Sequence, residues 1–124
     1  MIEATEILNF FISKDVRNYI GVPDSLLSNL SNNIKKNHII SSNEGTAIAI
    51  AIGTYMASNK PSVVYLQNSG IGNLLNPLVS LADKEVYSFP VFMIIGWRGK
   101  PGIDDEPQHI KQGKITTKLL DILN

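Results

Sequence analysis

Residues 38–56 read His38-Ile-Ile-Ser-Ser-Asn-Glu-Gly-Thr-Ala-Ile-Ala-Ile-Ala-Ile-Gly-Thr-Tyr-Met56. Between Ala47 and Ile52, Ala and Ile alternate, as they would on a half-buried strand. Neither face of that run is polar, however. It is also long for a strand, and Ala favours helix. The stretch therefore reads as a short strand over His38 to Ser41, a polar turn, and a buried helix from Asn43 to Met56. Pro61 follows soon after, as a helix stop often does.

Outward from this stretch the pattern repeats. Ala4, Ile7, Leu8 and Phe11 stand at i, i+3, i+4, i+7 and mark an amphipathic helix over 2–13. Val16 to Val22 reads as a strand ending at Gly21-Val22-Pro23-Asp24-Ser25. Leu26, Leu27, Leu30 and Ile34 form a helical stripe, with Asp24 or Ser25 as its N-cap. Ser62 to Leu66 is a β-branched strand, and Leu74, Leu75, Leu78 and Val79 are another helical stripe. Pro77 falls inside that stripe, so the helix either starts there behind Asn76 or kinks there. Val91 to Gly96 reads as a buried strand, residues 97–113 as a long loop with three Gly and two Pro, and Thr116 to Leu123 as the start of a helix. Strand alternating with helix predicts an α/β fold: right-handed βαβ units and a parallel sheet covered on both faces. Ligands of such sheets sit at the carboxyl ends of the strands.

Composition narrows the function. With 11 basic and 11 acidic side chains in 124 residues, the formal net charge is zero, which argues against nucleic acid or an anionic membrane as the main partner. An apolar fraction of 44% is ample for one core. No apolar run approaches the ~20 residues of a membrane span, and the acidic N-terminus lacks a signal-peptide pattern. The chain has no Cys, hence no disulfide or thiolate site, and a cytoplasmic location is expected. No metal site is read. Asp104, Asp105 and Glu106 are adjacent rather than spaced as a calcium loop, and only two His exist.

The unusual residues gather in four segments that follow strands. Glu44 has two readings. Ser41-Ser42-Asn43-Glu44 matches a capping box, yet a carboxylate beside an Ala/Ile helix is partly desolvated and suits a strong hydrogen bond to a heteroaromatic nitrogen. Asn68-Ser69-Gly70-Ile71-Gly72-Asn73 is neither a P-loop nor a dinucleotide fingerprint. It is either a tight turn or a place where a flat ligand approaches bare backbone. Asp24 is an N-cap or an acid. His109 is a solvated loop residue or a proton donor. Arg98 either pairs with the acidic cluster or clamps a substrate anion. His38 reads as the top of a strand without chemistry.

Taken together, Gly21-Val22-Pro23-Asp24-Ser25, Asn43-Glu44-Gly45-Thr46-Ala47, Gln67 to Asn73, and Trp97-Arg98-Gly99 with Asp105-Glu106-Pro107-Gln108-His109 resemble the N-terminal, pyrimidine-binding domain of the phosphonopyruvate decarboxylase family. These are thiamine-diphosphate-dependent enzymes, and the sulfopyruvate decarboxylase alpha subunit is a near neighbour. The resemblance covers essentially the whole chain, and its most discriminating part is the Trp-Arg-Gly to Pro-Gln-His stretch. It implies a three-layer thiamine-diphosphate-binding fold that lacks its last elements here. It also implies conversion of 3-phosphonopyruvate to phosphonoacetaldehyde and carbon dioxide, the thiazolium of the cofactor accepting the electron pair.

Glu44 matches the glutamate that hydrogen-bonds N1′ of the aminopyrimidine. Asp24 and His109 match polar positions near the reacting carbon, and Asn68, Ser69 and Gly70 match the turn that faces the pyrimidine. Arg98 as a substrate-anion clamp is an inference from its position. The family binds the diphosphate through Mg²⁺ with a Gly-Asp-Gly motif on a second domain, which this sequence does not contain. The chain is therefore expected to hold half a site within a homo- or hetero-oligomer, the other half coming from a diphosphate-binding domain or subunit. Two further readings stay open: a sulfopyruvate decarboxylase alpha subunit, and a truncated, non-catalytic binding or dimerisation module.

Overall fold

A computed structural model describes residues 3–123. Helix α1 (Ala4–Ser13) precedes strand β1 (Asn18–Gly21). A 3₁₀ turn (Ser25–Leu27) and α2 (Ser28–Asn33) lead to β2 (His38–Ile40). Helix α3 (Glu44–Ser58), β3 (Ser62–Gln67), a 3₁₀ turn (Asn68–Gly70), α4 (Ile71–Pro77), β4 (Val91–Gly96) and α5 (Pro107–Ile122) follow. All strand pairings are parallel, in the order β2-β1-β3-β4. The chain steps outward from β1 to β2, then reverses to β3 on the other side of β1. The switch between β1 and β3 is where an open α/β sheet offers a crevice at its carboxyl end.

The two faces of the sheet follow from side-chain alternation. Tyr19, Val63 and Tyr65 point to one face, packing with Leu8 and Phe11 of α1 and Leu30 of α2. Ile20, Val64 and Leu66 point to the other, against Ala47, Ile48, Ala51 and Ile52 of α3 and Ile71 and Leu74 of α4. Ile20, Ile48, Val64 and Leu66 have no exposed surface, and each such side chain contributes roughly 1.5–3 kcal/mol of hydrophobic stabilisation. The Ala/Ile run is thus a helix packed on the sheet and α4 through Ala47, Ile48, Ala51 and Ile52, but it is not buried all round as expected, since Thr46, Ala49, Gly53 and Met56 form an exposed face. Asn59 in the left-handed region (φ 56°) ends it, just before Pro61.

Three further expectations change. Residues 97–113 are not all loop. Helix α5 begins at Pro107, at a position where a missing N–H costs nothing. His109 therefore lies in the first turn of a helix rather than in a loop, and Thr116 is mid-helix. Pro77 neither starts nor breaks its helix. It ends α4, and the chain continues as a π-helical turn over Leu78–Ala82. Gly113, read as loop, is forced by packing: a Cβ there would overlap the main chain of Gly99. Gly99 is itself in the left-handed region (φ 64°) and packed against the carbonyl of His109. The two glycines let α5 lie directly on the turn after β4, and Trp97 Nε1 secures it by donating to the Gly113 carbonyl at 2.9 Å.

Candidate active site

The segments after all four strands lie along the carboxyl edge of the sheet. Asn43 is the N-cap of α3, its side chain accepting from Thr46 N–H at 2.9 Å. Ser41 Oγ donates to the Asn43 carbonyl at 2.9 Å. The expected Ser41-to-Glu44 capping box is therefore replaced by an Asn43 cap, and the Glu44 side chain is left free to turn elsewhere. It is buried, 8% exposed. Its Oε2 accepts a hydrogen bond from Asn73 Nδ2 at 2.7 Å. Its Oε1 lies against Gly70, where a Cβ would overlap the carboxylate. Gly45 allows the same approach from the other side, since a Cβ there would stand 2.8 Å from the Asn73 carbonyl. The first turns of α3 and α4 therefore meet around one carboxyl group.

A second cluster forms where β1 and β4 end. Asp24 precedes the 3₁₀ turn but its side chain caps nothing. It is 7% exposed and both carboxylate oxygens are without a partner among the described residues. It packs on Gly96, where any side chain would collide with Oδ2. A buried, unpaired carboxylate is costly and calls for a ligand or functional explanation. Arg98 supplies some compensating field, because Asp24 is among the charges that favour its protonated form.

Arg98 itself is not free. Its guanidinium grips Asp105 in a bidentate pair and donates to Ser25 Oγ at 3.1 Å. That pair, with further help from the N–H groups of Gly99 and Glu106, holds the Asp105 carboxyl well below the usual carboxylate range. Of the two readings for Arg98, the observed state is the ion pair.

The turn over residues 68–70 ties the clusters together. Asn68 is 1% exposed. It donates to the Arg98 carbonyl at 2.8 Å and to Thr116 Oγ1 at 2.9 Å, and it accepts from Arg98 N–H at 3.2 Å. Its side chain is engaged as a clamp between β3, β4 and α5, with both amide hydrogens committed. Ser69 is exposed and accepts from Gln67 Nε2 at 2.7 Å. Gly70 provides the bare surface under Glu44. His109 is half-buried, and its ring makes no hydrogen bond to Asp24 or Glu44 among the described residues. Sequence reading missed the roles of Asn73 and Thr116, whose partners are 29 and 48 residues away along the chain, while Asp105 is the member of the acidic cluster that pairs with Arg98.

What this arrangement offers chemically is specific. One carboxylate oxygen, free of protein partners among the described residues, stands over a glycine at a topological switch point. A planar ring with an acceptor or donor nitrogen fits that geometry. Among the described residues no three His, Asp or Glu side chains converge to hold a metal ion, and no helix is long and apolar enough to cross a membrane.

A parallel α/β sheet with this cluster at its carboxyl edge defines the class, and comparison with known proteins identifies the family. Residues 4–120 match the thiamine pyrophosphate enzyme N-terminal TPP binding domain, and the chain belongs to that family. It is 36% identical, over 98% of its length, to phosphonopyruvate decarboxylase of Streptomyces viridochromogenes, of which it spans 31%. It is 34% identical, over 82% of its length, to sulfopyruvate decarboxylase subunit alpha of Methanocaldococcus jannaschii, of which the matched part is 60%. The crystal structure of benzoylformate decarboxylase from Polynucleobacter necessarius shares the fold with a TM-score of 0.66, at 20% identity over 79% of this chain and 19% of that one.

Proposed function

We propose that the chain is the pyrimidine-binding half of a thiamine-diphosphate-dependent decarboxylase that converts 3-phosphonopyruvate to phosphonoacetaldehyde and carbon dioxide. The observation that carries this reading is Glu44: buried, held on one oxygen by Asn73, and bare on the other above Gly70. That donor set fits an aminopyrimidine ring nitrogen. When bound, the cofactor supplies an electron sink for the pair released as carbon dioxide leaves. The chain's own residues then have distinct tasks.

Glu44 holds or gives a proton at the ring nitrogen through Oε1. Gly70 lets the ring lie close to the backbone. Asn68 keeps the turn that faces the ring in shape. Asp24, an unpaired buried carboxylate, is the group placed to accept or return a proton near the reacting carbon. His109, at the start of α5, serves as a second proton donor on the same edge. Arg98 recognises the substrate's anionic group, and to do so it must exchange Asp105 for the phosphonate. The diphosphate and its Mg²⁺ are held by a further domain or subunit, and the working enzyme is a homo- or hetero-oligomer in the cytoplasm.

A second reading has its own support. The sulfopyruvate relatives are separate alpha subunits, and this chain matches 60% of one of them against 31% of the phosphonopyruvate enzyme. The deciding experiment mixes the chain with the diphosphate-binding portion of each relative, thiamine diphosphate and Mg²⁺, and follows carbon dioxide from 3-phosphonopyruvate and from sulfopyruvate. Faster turnover of the phosphonate supports the reading given first, and faster turnover of the sulfonate supports the second. No turnover of either, together with a stable homodimer that fails to bind cofactor, would leave a non-catalytic module.

A further inference from the structure

The two oxygens of Glu44 are not equivalent, and the cause is Asn73. Its side-chain amide nitrogen can donate but not accept. With Nδ2 at 2.7 Å from Oε2, that oxygen is committed as an acceptor. Any proton carried by Glu44 must then sit on Oε1, the oxygen facing Gly70 that takes no hydrogen bond among the described residues. Asn73 is itself fixed by its main chain, whose carbonyl abuts Gly45 on the neighbouring helix. The alternative amide orientation would present Oδ1 to Oε2. It would require the Glu44 proton on Oε2 and leave Oε1 bare.

We infer that Asn73 is a positioning residue that orients Glu44 and directs its proton to Oε1, the atom presented to a ring nitrogen. This deepens the proposed function and rests on it for its meaning, but the geometry stands independently. Apart from Tyr55 and Glu44 itself, α3 and α4 and the turn over residues 68–70 carry no ionisable side chain. The strands β1 and β3 that pack against α3 carry Tyr19 and Tyr65, on the opposite face of the sheet. Nothing else on these elements titrates in the acid range to obscure Glu44.

The test is an NMR titration of the full chain without cofactor, observing the Asn73 side-chain amide and the Glu44 carboxyl carbon from pH 3 to pH 8. The Asn73 amide protons should shift in step with Glu44. In Asn73→Leu the loss of a donor to the charged form should move the Glu44 midpoint up by roughly half to one pH unit. Asn73→Gln, which keeps an amide donor on a longer side chain, should recover part of that shift. An unmoved midpoint in a folded Asn73→Leu overturns the inference, and so does a downward one, which the flipped amide predicts. Should Asn73→Leu not fold, an Asn73 amide in the parent chain that ignores Glu44 ionisation overturns it as well. In the mixture with a diphosphate-binding partner, Asn73→Leu should also weaken thiamine diphosphate binding about tenfold. Failure of the parent chain to bind cofactor there would count against the proposed function, while the titration result would be unaffected.

Discussion

At Asp24 the chain keeps a carboxylate buried with no hydrogen-bond partner among the described residues, relieved only in part by the field of Arg98. Holding such a group in place costs stability, which a neutral isostere of the same shape partly recovers. Asp24→Asn should therefore raise the unfolding midpoint in urea while lowering decarboxylation in the reconstituted enzyme, since the amide cannot take up a proton. A lower midpoint with unchanged turnover would mean that Asp24 is structural. The role of Asp24 as more than a cap was open in the sequence, because an acid before a helical turn is usually a cap. Only the absence of any cap hydrogen bond separates the two readings. Asn73 was harder to see. Its role depends on Glu44, 29 residues earlier, and nothing in Gly-Ile-Gly-Asn announces that meeting.

At the scale of elements, the carboxyl edge is held by side-chain clamps rather than by loops. Asn68 joins the ends of β3 and β4 to α5 with three hydrogen bonds. Asn68→Ala would strand the Arg98 carbonyl, whereas Arg98 N–H keeps its bond to the Gly96 carbonyl, and a buried group left unsatisfied costs roughly 1–3 kcal/mol. A loss of about 1–3 kcal/mol in chemical denaturation is expected, with α5 exchanging its amide protons faster. The opposite end of the fold has a pH-dependent tie. Burial lowers the proton affinity of His38 below its ordinary 6.5, and its Nε2 meets Tyr65 Oη at 2.7 Å. A histidine depressed on folding stabilises fully above its unfolded value, and that contribution is lost as pH falls through the folded value. The urea midpoint should thus decline as pH is lowered from 7 towards 5, and His38→Asn should flatten the decline. The regular elements were legible because period 2 and period 3.6 are written in the apolar residues. The start of α5 was not, because Pro107 and Gly113 look like breakers until their partners in space are known.

For the whole molecule, the order β2-β1-β3-β4 brings segments 24–25, 43–45, 68–73 and 97–105 to one edge, and zero net charge leaves anion recognition to local groups. On that edge the Arg98 guanidinium is engaged by Asp105 and the Asp24 carboxylate has no partner among the described residues, so a diphosphate needs cations from elsewhere. This accords with a half-site completed by a second domain or subunit. The central claim is that Glu44 is the ring-nitrogen partner in that half-site. The most direct test compares parent and Glu44→Gln in the mixture with a diphosphate-binding partner, thiamine diphosphate and Mg²⁺, by carbon dioxide release from the 2-oxo acid that the parent decarboxylates. The amide is nearly isosteric and keeps an acceptor for Asn73, so the fold should persist. Loss of the proton-transfer group should cut turnover about 10²-fold or more. Turnover in Glu44→Gln equal to that of the parent would contradict the account.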